Sequence, residues 1–435
     1  LSFDKEAFVA VHLPHTYNAL DGQDGGDDYF RGQALYVKPF SFSLDKEYPV
    51  TYLEFRGVGQ SAEVYLNDSY LGRHDGGYST FRFDISDKLK EENLLFVRCD
   101  NGKNETVYPQ MADFTFYGGL YRDVALIETA ESHFALVPWG TTGIAISVRM
   151  NGADAEVVVH TETVGECDFV RCCIGNLVRE AHSVDGVAEA CFTLENARLW
   201  NGKKDPYLYH AAAELIVNGT VVDQVETEKG FILNGQVYPL RGVSRHQDRR
   251  GVGNAITREM MEEDMSILLE LGATSVRLAH YQHDQYFYDL CDRNGIIVWA
   301  EIPYITKHMP DGNENTQEQM RELITQCRNH PSIVCWALSN EICVAGLTED
   351  LLDNHRKLNA LAKRLDPSRP TTIADAFMLE PESPINEIPD LLAYNLYFGW
   401  YSGELEDNDA FFDDFHAKYP RRPVGLAEYG ADCRF

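Results

Sequence analysis

Downstream of Gly230 the chain alternates short apolar strands with amphipathic helices, and that alternation leaves few folds open to it. A strand, a helix and a second strand in one sheet make a parallel, right-handed crossover. Thr257 is placed to cap a helix whose Met261, Met265 and Leu268 share one face and which Gly272 can end. A strand at 274–278 follows, then a helix near 284–294, a buried strand at 296–300, a helix over 316–329 and a strand at 333–338. A longer helix at 348–365 aligns Leu351, Leu358, Leu361 and Leu365, and further strands are expected at 371–374, 391–394 and 423–427. With 237–243 as the first strand the count reaches seven. A closed (β/α)8 TIM barrel needs eight strands and about 250 residues. Residues 230–435 are therefore expected to form a barrel domain that stops after strand seven, as part of a longer polypeptide.

Upstream the period is two. Thr51-Tyr52-Leu53-Glu54-Phe55-Arg56 and Ala62-Glu63-Val64-Tyr65-Leu66 alternate between Gly- and Asn-rich turns, so residues 1–130 predict a jelly-roll β-sandwich. Residues 131–229 continue in strands, among them Glu156-Val157-Val158-Val159 and Ala213-Glu214-Leu215-Ile216-Val217. Their number and spacing predict an immunoglobulin-like β-sandwich.

Charge narrows the function. Lys and Arg total 38 against 68 Asp and Glu, a net charge of −30. Nucleic acids and anionic membranes both ask for a basic face, so neither is an expected partner. No apolar run reaches the roughly 18 residues of a membrane span. Ten scattered cysteines, two of them adjacent at Cys172 and Cys173, match neither a disulfide framework nor a metal site. They read as reduced thiols, which leans toward a cytoplasm over a bacterial periplasm.

In such barrels the chemistry sits at the C-terminal ends of the strands. Those ends carry Arg245 and His246, Arg277 and His280, Glu301, Asn340 and Glu341, Asp375, Asn395 and Tyr397, and Glu428. Several carboxylates converging on one mouth repel one another, a cost that function explains. Strands four and seven lie across an eight-stranded barrel from each other. Glu341 and Glu428 can thus flank one glycosidic bond, one giving a proton and the other attacking the anomeric carbon.

The residues also carry a resemblance. Ser339-Asn340-Glu341, Ala427-Glu428-Tyr429-Gly430, Gly242-Val243-Ser244-Arg245-His246, Val276-Arg277-Leu278-Ala279-His280-Tyr281, Asn395-Leu396-Tyr397 and Gly118-Gly119-Leu120-Tyr121-Arg122-Asp123-Val124 resemble, in order, the signatures of glycoside hydrolase family 2. The resemblance covers essentially the whole chain and includes β-galactosidases and β-glucuronidases. It implies a retaining exo-β-glycosidase with Glu341 as acid/base, Glu428 as nucleophile, and Tyr397 and Arg277 positioning Glu428. Asn340, His246, His280, Asp123, Asn395 and Glu301 would bind the sugar. Bacterial β-galactosidase members carry a magnesium-ligand Glu and His just after strand three, where this chain has Ile305 and Lys307. No metal and no cofactor is therefore expected. The N-terminal Leu13-Pro14-His15-Thr16 favours a β-galactoside, with a β-glucuronide as the alternative. A reading of another class is a carbohydrate-binding protein or an inactive fragment, since an open barrel leaves strand edges unpaired. Carbohydrate is the expected partner, and self-association stays open.

Overall fold

The computed structural model describes residues 5–21, 29–229, 238, 240–420 and 422–430. Two antiparallel sheets open the chain. One pairs Gln33–Ser41, Glu92–Asp100, Ser61–Leu66 and Ser69–Asp75; the other pairs Phe81–Asp84, Val50–Phe55 and Val124–Thr129. Alternation turns Leu53 and Phe55 of one sheet and Val64, Leu66, Val97 and Cys99 of the other into a shared core. A second sandwich repeats this logic. Val157, Val159 and Phe192 face Val170, Cys172, Ala213 and Leu215 across its two sheets.

The remaining strands are parallel. We label them β1 (Gly242–Arg245), β2 (Ser275–Leu278), β3 (Ile297–Glu301), β4 (Ile333–Asn340), β5 (Thr371–Ala376), β6 (Leu391–Leu396) and β7 (Val424–Tyr429), adjacent in that order. Strand β7 returns to touch β1, so the seven-stranded sheet is nearly closed. The helices are α1 (Arg258–Glu270), α2 (Gln285–Asn294), α3 (Asn313–Cys327), α4 (Glu349–Leu365) and α5 (Asp407–Lys418). The starts of α1, α2 and α4 follow the chemistry of the caps. Thr257, Asp284 and Thr348 each accept a hydrogen bond from a backbone N–H of the first turn, and Gly295 ends α2 in the left-handed region.

Two expectations need correction. The first barrel strand pairs only from Gly242; Val237 lies outside the described residues. Just before it, the Arg241 N–H donates to the Thr274 hydroxyl and its carbonyl accepts from the N–H groups of Thr274 and Ser275. Helix α5 had no counterpart in the expected elements. Its Asp-rich sequence is a poor helix former, and packing of Phe411 and Phe415 against the barrel core holds it.

Helix α3 docks the first sandwich onto the barrel through buried polar groups. Glu322 accepts from His74 Nε2 (2.6 Å) and Ser79 Oγ (2.5 Å). Gln326 accepts from the Thr80 N–H and donates to the carbonyls of Thr80 and Trp139. Asn315 joins the Tyr108 N–H to the Asp75 carbonyl. Burial works against a charged His74, yet Glu322 outweighs it and raises the imidazole above its ordinary value. Glu322→Leu should strand His74 and Ser79 without an acceptor and cost about 3 kcal/mol. Urea unfolding followed by tryptophan fluorescence checks this, and a loss below about 0.5 kcal/mol would contradict the assignment.

Candidate active site

The strand ends converge on one buried guanidinium. Arg277, at the third position of β2, donates to both oxygens of Glu301 (2.9 and 3.1 Å) and to Asn340 Oδ1 (2.7 Å), and its Nη1 donates to Glu428 Oε1. Glu301 has no solvent exposure and takes two further donors, Trp299 Nε1 (2.8 Å) and His280 Nδ1 (2.7 Å). Burial alone would push Glu301 up; the Arg277 charge and the His280 hydrogen bond reverse this and hold it at about 2. With its Nδ1–H committed to Glu301, His280 turns Nε2 toward Glu428 at 3.7 Å. The second oxygen of Glu428 accepts from the Tyr397 hydroxyl, and burial followed by the Glu428 charge keeps that phenol protonated.

Glu341 is built differently. Its backbone lies in the left-handed region at φ 48°, an uncommon state for a side chain of this size, and its N–H is fixed by the Ala374 carbonyl (2.8 Å). One carboxylate oxygen accepts from Asn395 Nδ2 at 2.8 Å. Desolvation raises Glu341 above the usual carboxylate value; the Asn395 hydrogen bond opposes this and the Glu428 charge adds to it. Asn340 Oδ1 takes donors from both Arg277 and Asn395, so its amide N–H groups are turned away from that pair. His246 lies across from His280, with ring centroids 5.1 Å apart, and desolvation followed by the His280 charge pushes it down to about 3. Its imidazole is therefore neutral, able both to donate and to accept.

Two of the expected sugar contacts do not reach the mouth. Asp123 has a side chain 61% exposed and pairs with Arg56 at 3.4 Å. Along that segment it is the neighbouring Arg122 that points inward, donating to the Gln282 carbonyl and Gln247 of the barrel. Glu301 is closed off by its donors, which leaves it to position Arg277 and His280. The first sandwich instead contributes Asp113, whose charge reaches Glu341 and Tyr397, and Phe114, packed 5.0 Å from His246 and 5.9 Å from His280. Asp375 is buried behind the cluster. Desolvation pushes it up to about 8, with the charges of Arg422 and Glu341 acting in opposite directions. Trp336 fills the core and Trp299 serves Glu301, whereas Trp400 is 48% exposed beside the mouth.

Residues 7–130 match the sugar binding domain of glycosyl hydrolases family 2, residues 144–231 match a second region described as glycosyl hydrolases family 2, and residues 224–434 match the TIM barrel domain of that family. A β-glucuronidase of Bacteroides fragilis is 36% identical over 97% of this chain and 65% of its own. A β-galactosidase of Thermoanaerobacter pseudethanolicus is 29% identical over 93% of this chain and 56% of its own. The crystal structure of an FMN-binding β-glucuronidase from Facaelibacterium prausnitzii L2-6 superposes with a TM-score of 0.94 at 38% identity, over 98% of this chain and 70% of that one. The chain thus spans less than two thirds of the length of both of these curated relatives.

The Glu301 geometry predicts a pH signature. A carboxylate held at about 2 against an ordinary 4.5 stabilises the fold above pH 4.5, and that contribution fades as pH falls toward 2. Glu301→Gln should cost about 3 kcal/mol at pH 7 in urea unfolding, with the gap to the parent closing progressively below pH 4.5. A gap independent of pH would contradict it.

Proposed function

The chain belongs to glycosyl hydrolase family 2, and from that premise we propose that it hydrolyses terminal β-glycosides with retention of anomeric configuration. The observation that carries this reading is the asymmetry of the two carboxyl groups. Glu428 has a donor on each oxygen, Arg277 and Tyr397, as suits an oriented nucleophile. Glu341 has one amide donor and is raised by burial and by the Glu428 charge, as suits an acid that must hold a proton near neutral pH.

In the first step a Glu428 oxygen attacks the anomeric carbon, the glycosidic C–O bond breaks, and Glu341 passes its proton to the departing oxygen. Glycosylation removes the Glu428 charge, so its share in raising Glu341 falls away while that of burial stays, and the lowered carboxylate becomes the base for the second step. Water then loses a proton to Glu341 as its oxygen displaces Glu428 from the sugar. Asn340, His246 and His280 line the mouth as the sugar-facing donors and acceptors, joined by Asp113 from the first sandwich.

For the sugar we favour a β-glucuronide over the β-galactoside suggested by the N-terminal segment. The support is the order at the head of the similarities, with β-glucuronidases at 36% and 38% identity just above a putative β-galactosidase at 35% and further above β-galactosidases at 31% and 29%. A panel of nitrophenyl β-glycosides checks it: turnover of the glucuronide should exceed that of the galactoside at least tenfold, and the reverse order would overturn the preference.

Glu428→Gly with added azide should convert an activated β-glycoside to the α-glycosyl azide; azide without effect would count against Glu428. Glu341→Gln should lose far more rate on poor leaving groups than on dinitrophenolate, which needs little protonation. The basic limb of kcat/KM should fall where the raised Glu341 deprotonates, above the ordinary carboxylate range. Asn395→Ala, which removes the donor that favours the charged form, should move that limb to higher pH. An unmoved or lowered limb would contradict the assignment of Glu341.

A further inference from the structure

A cavity of about 370 Å3 lies between the second sandwich and the barrel. It is remote from the carboxylates by topology. Its barrel wall is made by Arg328 and Asn329 ahead of β4 and by residues 365–369 ahead of β5, the N-terminal ends of strands whose C-terminal ends lead to Glu341 and Asp375. The opposite wall is apolar, with Ile146, Val148, Val157, Ile174 and Leu194. Asn329 ties the two walls together, donating to the Ile144 carbonyl and accepting from the Ile146 N–H. The volume falls in the range of small-molecule sites, which combine apolar walls with a few aimed polar groups.

The polar groups around the cavity are mostly spent. Arg198 pairs with Asp205 at 2.7 Å, Arg369 with Asp366 at 2.5 Å, and the Ser368 hydroxyl also goes to Asp366. Glu162 is shared with His160 at 3.7 Å, and His160 also meets Glu189 at 3.2 Å. Arg328 is the exception. Its Nε is buried and has no hydrogen-bond partner, and no ion pair joins its guanidinium among the described residues. Glu162 and Asp366 act on it only through space. A buried Nε–H without an acceptor on a half-buried guanidinium is costly, and an incoming oxyanion would relieve the cost.

We propose that this interdomain cavity is a binding site for a small amphipathic anion, its flat apolar body laid against Val157 and Ile174 and its oxyanion held by Arg328. Because one wall belongs to the sandwich and the other to the barrel, a bound molecule would also fasten the two together. The site is independent of the glycosidase reading, since no residue of the carboxylate cluster takes part in it.

The test uses 1-anilinonaphthalene-8-sulfonate, which has both features, and N-phenyl-1-naphthylamine, the same body without the sulfonate. Fluorescence titration of the chain should show one saturable site for the sulfonate, at least tenfold tighter than for the neutral probe. Arg328→Gln should weaken the sulfonate at least tenfold and leave the neutral probe unchanged, while Arg328→Lys should retain part of the preference. Ala197→Trp, which fills the cavity with an indole, should abolish both. Equal affinity of the two probes for the parent chain, a measurement that needs no variant, overturns the proposal. So does sulfonate binding that survives Ala197→Trp in a protein with a cooperative melt, because the probe would then sit elsewhere.

Discussion

The arrangement of the barrel mouth depends on a single buried cation. Arg277 has its guanidinium enclosed and spends its donors on Glu301, Asn340 and Glu428, residues from the ends of three other strands. In a medium of low dielectric such a charge is tolerated only when its partners are charged and close. Glu301 supplies the permanent counter-charge, and that frees the third interaction, with Glu428, to orient the second carboxylate. The same logic reaches His280, whose tautomer is set by Glu301. One Arg–Glu pair thus fixes the rotamers of a carboxylate, an amide and an imidazole.

The second constraint is nonlocal. The mouth is completed by a segment of the first sandwich that brings Asp113 and Phe114 over it, and that placement rests on how the sandwich docks against α3. The docking surface is polar and buried, so its hydrogen bonds define one relative position; an apolar surface would tolerate sliding. The N-terminal sandwich is therefore part of the candidate site, and the placement of Asp113 and Phe114 depends on groups such as Glu322 and Gln326 that lie in the docking surface.

Much of this was legible in the residues, and the reasons differ by feature. The barrel helices were readable because their caps and apolar faces are local: Thr257, Asp284 and Thr348 act on the turn they begin. The convergence of Arg277, Asn340, Glu341, Asn395 and Glu428 was readable because the C-terminal ends of parallel strands point to one place, so position along a strand stands in for position in space. Helix α5 escaped because its stability comes from Phe411 and Phe415 reaching the core, a tertiary effect that overrides a poor local propensity. Asp123 misled because adjacent residues on extended backbone face opposite ways, and Arg122 took the inward position. Asp113 carries no local mark, and only the docked sandwich brings it to Glu341. Glu301 sat at the right strand end, but the number of donors that would saturate it is a property of three dimensions.

The central claim is that Arg277 and Tyr397 present Glu428 as the group that bonds to the sugar. Covalent trapping with a 2-deoxy-2-fluoro-β-glycosyl fluoride, followed by peptide mass mapping, tests it most directly, because electron withdrawal at C2 slows both steps while the good leaving group restores the first, so the glycosyl-enzyme accumulates. The account predicts a single adduct on Glu428 in the parent chain and a much slower adduct in Arg277→Met. An adduct on Glu341 or another carboxylate, or trapping at the same rate without Arg277, would contradict it.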